Sequence, residues 1–255
     1  VVDLYTTFPP PPTGIEVYNR DAAYQGLAQA LAESGIPFNV EFAGDGLYIP
    51  NNLTAEQLKK YKIILIPSAM NITESQRRVV EEYVTGGGIA VVPANHEFNT
   101  SKEEGVHTYG EGKFVVTGVD PAGRSLGLQY WYTYNDQIRE RITSLVRSNI
   151  EEPTLTANVD RTVVLFPYYQ PERERIVIHL VNYDYNVTDD SVESKEEIHI
   201  RVRKPPYWWN EGFEVFLVSP DFEERIALRY VVSGDYINLT IPKLDIYDVI
   251  VIEPK

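Results

Sequence analysis

Apolar positions follow two different rhythms, one in each half of the chain. In the first half, continuous apolar runs alternate with stretches of helical period. Ile63-Ile64-Leu65-Ile66-Pro67 and Ile89-Ala90-Val91-Val92-Pro93 are apolar at every position, the pattern of strands covered on both faces. Between them, residues 74–84 place Gln76, Val79, Val80 and Tyr83 on one helical face, and Gly86-Gly87-Gly88 stops the helix. Strand, helix, glycine stop and strand predict one βαβ unit of a parallel sheet.

The flanking segments extend that pattern. Strands are expected at 1–5, 37–42 and 113–116. A helix is expected from an Asp21 cap to Ser34, with Tyr24, Leu27, Ala28 and Leu31 on one face and Gly35 as its stop. Thr54-x-x-Gln57 and Thr73-x-x-Gln76 are capping boxes that open two further helices. Residues 136–149 read as a helix with Ile138, Ile142, Leu145 and Val146 inward. Four prolines at 9–12 call for a stiff extended loop, and 43–48 and 94–112 for a glycine-rich and a long polar loop. Strands alternating with helices predict a flavodoxin-like (class I amidotransferase-like) parallel open sheet over residues 1–155.

From Thr162 onward the helical period disappears. Short strands are expected at 176–181, 197–203, 213–218, 226–232, 236–241 and 249–252. The 197–203 strand alternates strictly, with Ile198, Ile200 and Val202 inward and His199, Arg201 and Arg203 outward. Strands at this spacing predict an all-β antiparallel sandwich over residues 156–255.

Composition narrows the functional classes. A net charge of −14 argues against nucleic acid and anionic membrane surfaces as partners, since both need basic patches. No segment approaches the ~20 apolar residues of a membrane span. The chain has no cysteine, which removes disulfides, thiolate nucleophiles and cysteine metal sites. One methionine and 17 prolines suit a thermophilic protein. N-x-[ST] sequons at Asn52, Asn71, Asn99, Asn186 and Asn238 point to a secreted or surface protein. With an apolar strand beginning at Val1, the chain is expected to be part of a longer one.

Catalytic sheets of this kind do their chemistry at the carboxyl ends of the strands. Here those ends carry Ser68 and the His96-Glu97 pair. Ser68 lacks the glycines of a G-x-S-x-G elbow. No G-x-G-x-x-G or P-loop occurs, so no nucleotide or other cofactor is expected. His96, Glu97 and His107 match no metal-ligand spacing, and the acidic pairs 103–104 and 189–190 read as solvated surface. Asp45, Asn71 and His96 then form at most a docking edge. Aromatics carry more: Tyr130-Trp131-Tyr132-Thr133-Tyr134 and Tyr207-Trp208-Trp209-Asn210 lie outside any apolar period. Exposed rings of this kind stack on the apolar faces of sugars, which makes Trp208, Trp209, Tyr207, Trp131 and Tyr130 candidate carbohydrate contacts. The same rings could instead serve a domain or subunit contact.

Several phrases resemble a known family. Ala32-Glu33-Ser34-Gly35-Ile36-Pro37-Phe38, Gly44-Asp45-Gly46-Leu47-Tyr48, residues 58–67 and Tyr83-Val84-Thr85-Gly86-Gly87-Gly88 are similar to the amidotransferase-like trimerisation domain of thermophilic β-galactosidases. His179-Leu180-Val181-Asn182-Tyr183-Asp184-Tyr185, Ser219-Pro220-Asp221 and residues 247–253 resemble the small β-domain that closes such enzymes. The proline-rich and Tyr-Trp-Trp loops depart from that pattern. The resemblance implies a non-catalytic accessory region of an extracellular glycoside hydrolase. Its partners would be a catalytic barrel elsewhere in the protein, polysaccharide, or further copies of itself. A purely structural or oligomerisation module and an independent hydrolase are the alternatives.

Overall fold

The computed structural model describes residues 1–4, 15–47, 49–150, 152–208 and 212–255. The proline run at 9–12 and Trp209 lie outside them. Contacts divide the chain into two compact units, Val1–Leu31 with Phe38–Glu151, and Ala32–Pro37 with Glu152–Lys255.

The first unit runs β1 (Val2–Leu4), α1 (Ile15–Ala32), β2 (Glu41–Ala43), α2 (Ala55–Leu58), β3 (Ile63–Leu65), α3 (Glu74–Thr85), β4 (Ile89–Pro93), β5 (Gly105–Tyr109), β6 (Gly112–Thr117), α4 (Leu126–Thr133) and α5 (Asp136–Arg147). Both predicted capping boxes form: Thr54 and Gln57 close the start of α2, Thr73 and Gln76 that of α3. Tyr83 of α3 explains the glycine stop. A Cβ on Gly88 would lie 2.3 Å from the Tyr83 ring. The Tyr83 hydroxyl donates to the Tyr61 carbonyl at 3.0 Å and accepts the Ile89 N–H at 3.3 Å. Burial pushes this phenol up to about 12. Around it, Leu58, Ile64, Val80, Val84, Val92, Phe114 and Val116 form one core cluster.

The expected flavodoxin-like parallel sheet is not what folds. Among the described residues this unit has a four-stranded mixed sheet of order β3-β4-β6-β5 and a separate two-stranded parallel pair, β1-β2. Strands β3, β4 and β6 are parallel, as the βαβ pattern demands. Strand β5 lies inside the expected polar loop at 94–112 and returns on β6 as an antiparallel hairpin. That hairpin caps one edge of the small sheet with an antiparallel strand. Helix α1 begins at Ile15, so Asp21 is an interior residue rather than a cap, and α4 was not foreseen.

The second unit is antiparallel throughout: β7 (Leu155–Ala157), β8 (Val163–Gln170), β9 (Arg175–Asn182), β10 (Tyr185–Asn186), β11 (Ser191–Val192), β12 (Lys195–Arg203), β13 (Phe213–Val218), β14 (Ile226–Ala227), β15 (Tyr230–Ser233), β16 (Tyr236–Leu244) and β17 (Tyr247–Pro254). Two sheets, β15-β16-β12-β7 and β14-β13-β17-β9-β8, share one apolar core. Ile198, Ile200, Val202, Ile237, Leu239 and Ile241 enter it from the first sheet, and Leu165, Ile178, Leu180, Val215 and Ile250 from the second. The sandwich pattern of the sequence holds, with one break. The strand expected at 226–232 splits into β14 and β15, which join different sheets. Leu228 sits buried at that corner and donates its N–H to the Val215 carbonyl at 2.8 Å.

Candidate functional site

The residues singled out in the sequence do not assemble into one site. In the first unit, Asp45 accepts the N–H groups of Leu47 at 3.0 Å and Ile49 at 2.9 Å and so closes its own loop. Asn71 is exposed in the left-handed region at φ 57°. His96 is fully buried and belongs to the core instead of a docking edge. Its Nδ1 accepts the Phe98 N–H at 3.2 Å, and its Nε2 lies 3.0 Å from the Ser101 carbonyl. Burial lowers its pKa, and Lys102 and His107 add to the effect.

The aromatic candidates divide in the same way. Tyr130 is fully buried on α4, and Trp131 packs with Leu128 against Ala22 and Ala23. Trp208 is 4% exposed and lies in the sandwich core, 5.4 Å from Phe213 between ring centres. An exposed platform at Trp208 and Tyr130 is therefore excluded, because the apolar core has taken both rings. Tyr207 remains 49% exposed, its hydroxyl hydrogen-bonded to that of Tyr169.

What the sandwich does offer is an open groove of about 1210 Å³ across its four-stranded sheet. The alternation that sends Ile198, Ile200 and Val202 inward sends Glu197, His199 and Arg201 of β12 outward. Cross-strand register supplies their neighbours: Arg201 faces Thr156 on β7 and Asn238 on β16, and His199 faces Thr240. His199 Nδ1 and Thr240 Oγ1 are 2.8 Å apart. Segment 226–231 forms the opposite wall.

Two features fix the groove floor. Asn158, just past β7, replaces the missing strand partner with its side chain. Its Oδ1 accepts the His199 N–H at 2.6 Å, and its Nδ2 donates to the Glu197 carbonyl at 3.2 Å. Glu197 itself has φ 50° in mid-strand, a costly conformation for a residue with a Cβ. On the other side of Asn238, the Arg201 guanidinium lies over the Tyr236 ring, 3.5 Å from its centre. Tyr236 is buried and anchored by a 3.1 Å bond from its hydroxyl to the Pro153 carbonyl.

The groove thus presents guanidinium and amide donors with hydroxyl, amide and carboxylate acceptors, a set that suits a hydroxyl-rich ligand. Sequence reading had assigned the outward direction of His199 and Arg201 but no role. The signal was the matching polar alternation of 238–240 on a neighbouring strand. Among the described residues, no group of three or more His, Asp or Glu side chains could hold a metal ion. No described helix is long and apolar enough to cross a membrane.

No family model matches the sequence, and no curated protein matches it. Solved structures do match by fold. α-L-Fucosidase isoenzyme 2 from Paenibacillus thiaminolyticus is 12% identical with a TM-score of 0.62, over 92% of this chain and 45% of the enzyme. Gan42B, a GH42 β-galactosidase from G. stearothermophilus, is 12% identical with a TM-score of 0.53, over 100% of this chain and 40% of the enzyme. A rhamnosidase from Novosphingobium sp. PP1Y is 13% identical with a TM-score of 0.52, over 88% of this chain and 20% of the enzyme. The chain spans less than half the length of each of these proteins. Its fold is one that occurs inside glycoside hydrolase chains.

Proposed function

We propose that this chain is a non-catalytic accessory region of an extracellular, polysaccharide-degrading glycoside hydrolase, whose catalytic domain lies elsewhere in the protein. The groove over β7, β12 and β16 is its carbohydrate contact. One observation carries the reading: almost the whole chain aligns with less than half of the fucosidase and of the β-galactosidase. Such a region works as a piece beside a catalytic partner. The chemistry of the groove supports the carbohydrate part, since His199, Arg201, Asn238 and Thr240 offer both donors and acceptors to hydroxyl groups.

The chain alone tests both parts. It should release no reducing sugar from a panel of polysaccharides and aryl glycosides, yet be retarded by at least one polysaccharide in affinity electrophoresis. Release of reducing sugar by the chain alone would establish a hydrolase and end this reading. A symmetric oligomer that no polysaccharide retards would replace it with an assembly module.

A further inference from the structure

We infer that the groove is built for an acidic saccharide, with a carboxylate- or sulfate-bearing sugar unit seated at Arg201 and Arg229. This rests on the carbohydrate reading of the groove and narrows it to one ligand class.

The chain carries a net charge of −14, yet the arginines that line the groove differ in their pairing from those beside it. Arg203, the next outward residue on β12, is paired with Glu152 at 2.9 Å and lies near Asp235 at 3.7 Å. Arg225, just before the groove wall, is paired with Glu214 at 3.0 Å. Arg201 and Arg229 both line the groove, and among the described residues neither has a carboxylate partner. Arg201 is also held in place. Its guanidinium carbon lies 3.5 Å from the centre of the anchored Tyr236 ring, and a guanidinium offers a planar fork of N–H donors that suits a planar or tetrahedral oxyanion. A side chain already ordered loses little entropy when a ligand arrives. Thr156 and Asn238 flank it across the ladder with a hydroxyl and an amide.

The other end of the groove has the opposite character. Glu197 and Glu196 lie four and five residues from Arg201 along β12, roughly 13–16 Å at about 3.3 Å per residue. Carboxylates there accept hydrogen bonds from sugar hydroxyls and repel a second anionic unit. The groove is therefore polar along its length. It fits a chain in which an acidic unit is followed by neutral ones, in a single direction.

Titration calorimetry on the whole chain provides the test. The probes are an oligogalacturonate, a sulfated galactan oligosaccharide, and their methyl-esterified and desulfated counterparts, at low and at physiological ionic strength. At least one anionic probe should bind at least tenfold more tightly than its neutral counterpart, with affinity falling as salt rises. Which arm binds decides between carboxylate and sulfate. Arg201→Ala should weaken that binding at least tenfold, and Arg201→Lys should not restore it, since an ammonium offers no planar fork. Arg229→Ala, between strands and outside the ladder, should weaken it with no change in melting temperature. Arg203→Ala should leave binding intact. Failure of both anionic probes, or indifference to Arg201→Ala and Arg229→Ala, overturns the inference. Equal binding of a neutral counterpart also overturns it but leaves the carbohydrate reading standing, and that reading falls separately if no saccharide binds.

Discussion

A Cβ on Gly26 would lie 1.9 Å from the carbonyl oxygen of Gly127, so α1 and α4 cross at backbone contact. The contact is reciprocal: a Cβ on Gly127 would lie 2.2 Å from the Ala23 carbonyl oxygen. Glycine to alanine inside an exposed helix normally stabilises it by about 1 kcal/mol. Here the sign should reverse. Gly26→Ala and Gly127→Ala are each expected to cost about 1–3 kcal/mol in urea denaturation, because the helices must separate to admit the methyl group. The double variant should cost less than the sum, since one separation relieves both clashes. A rise in stability for either variant would mean that the two helices do not meet.

Trp208 and Tyr207 are neighbours in sequence with opposite expected behaviour. Trp208 packs against Phe213 in the sandwich core, and its indole N–H has no partner among the described residues. Trp208→Ala should cost about 3–5 kcal/mol through the cavity it leaves. Trp208→Phe should cost less than about 1.5 kcal/mol, since it keeps most of the volume and removes the orphaned donor. Tyr207→Ala should stay within about 0.5 kcal/mol. Denaturation midpoints check all three, and a costly Tyr207→Ala with a neutral Trp208→Ala would invert the assignment.

His96 makes the first unit sensitive to acid. Because Nδ1 accepts the Phe98 N–H, the ring must carry its proton on Nε2, which donates to the Ser101 carbonyl. A second proton would break the Phe98 bond inside a cluster with Phe98 and Phe114. The folded pKa lies below the ordinary 6.5, so the unfolded chain takes up the proton first as pH falls. Stability is full above about 6.5 and declines below it. His96→Asn, whose Oδ1 can still accept the Phe98 N–H, should be less stable near neutrality. Its denaturation midpoint should fall less between about pH 7 and about pH 5. A wild-type midpoint that is flat over that interval would contradict this account.

How much of this was readable from the sequence depends on how far apart the interacting residues lie. Thr54 with Gln57 and Thr73 with Gln76 act within one helical turn, and both boxes form as written. The β12 alternation needs only period two, and its buried set came out as read. Strand β5 was hidden because an exposed hairpin edge, with Val106 63% exposed, carries no apolar run to mark it. Its presence turned an expected parallel sheet into a mixed one. Trp208 follows Pro205-Pro206 in a turn, and polar, irregular surroundings suggested exposure. A loop can still send one large ring into a core, and only the fold shows that. The Arg201–Tyr236 stack joins residues on two strands whose register no local pattern specifies, so the groove could not be assembled in advance.

Gln76 shows how a local signal can take on a tertiary load. As the third residue of α3 it completes the capping box, its Oε1 accepting the Thr73 N–H at 2.9 Å. Its Nε2 donates to the carbonyls of Ala43 at 2.9 Å and Gly44 at 3.1 Å, which tethers the helix start to the end of β2. The side chain is fully buried. Thr73→Ala removes one cap and should cost about 1 kcal/mol. Gln76→Ala removes the reciprocal cap and leaves two buried carbonyls without their donor, so it should cost more, about 2–4 kcal/mol. Gln76→Glu separates the two roles. It keeps an acceptor for Thr73 but turns the amide donor into a carboxylate facing two carbonyl oxygens. Its cost in urea denaturation should equal or exceed that of Gln76→Ala near neutral pH and shrink in acid, where a protonated carboxyl can donate again. A Gln76→Glu variant as stable as the parent at neutral pH would show that the tether to Ala43 and Gly44 carries no weight.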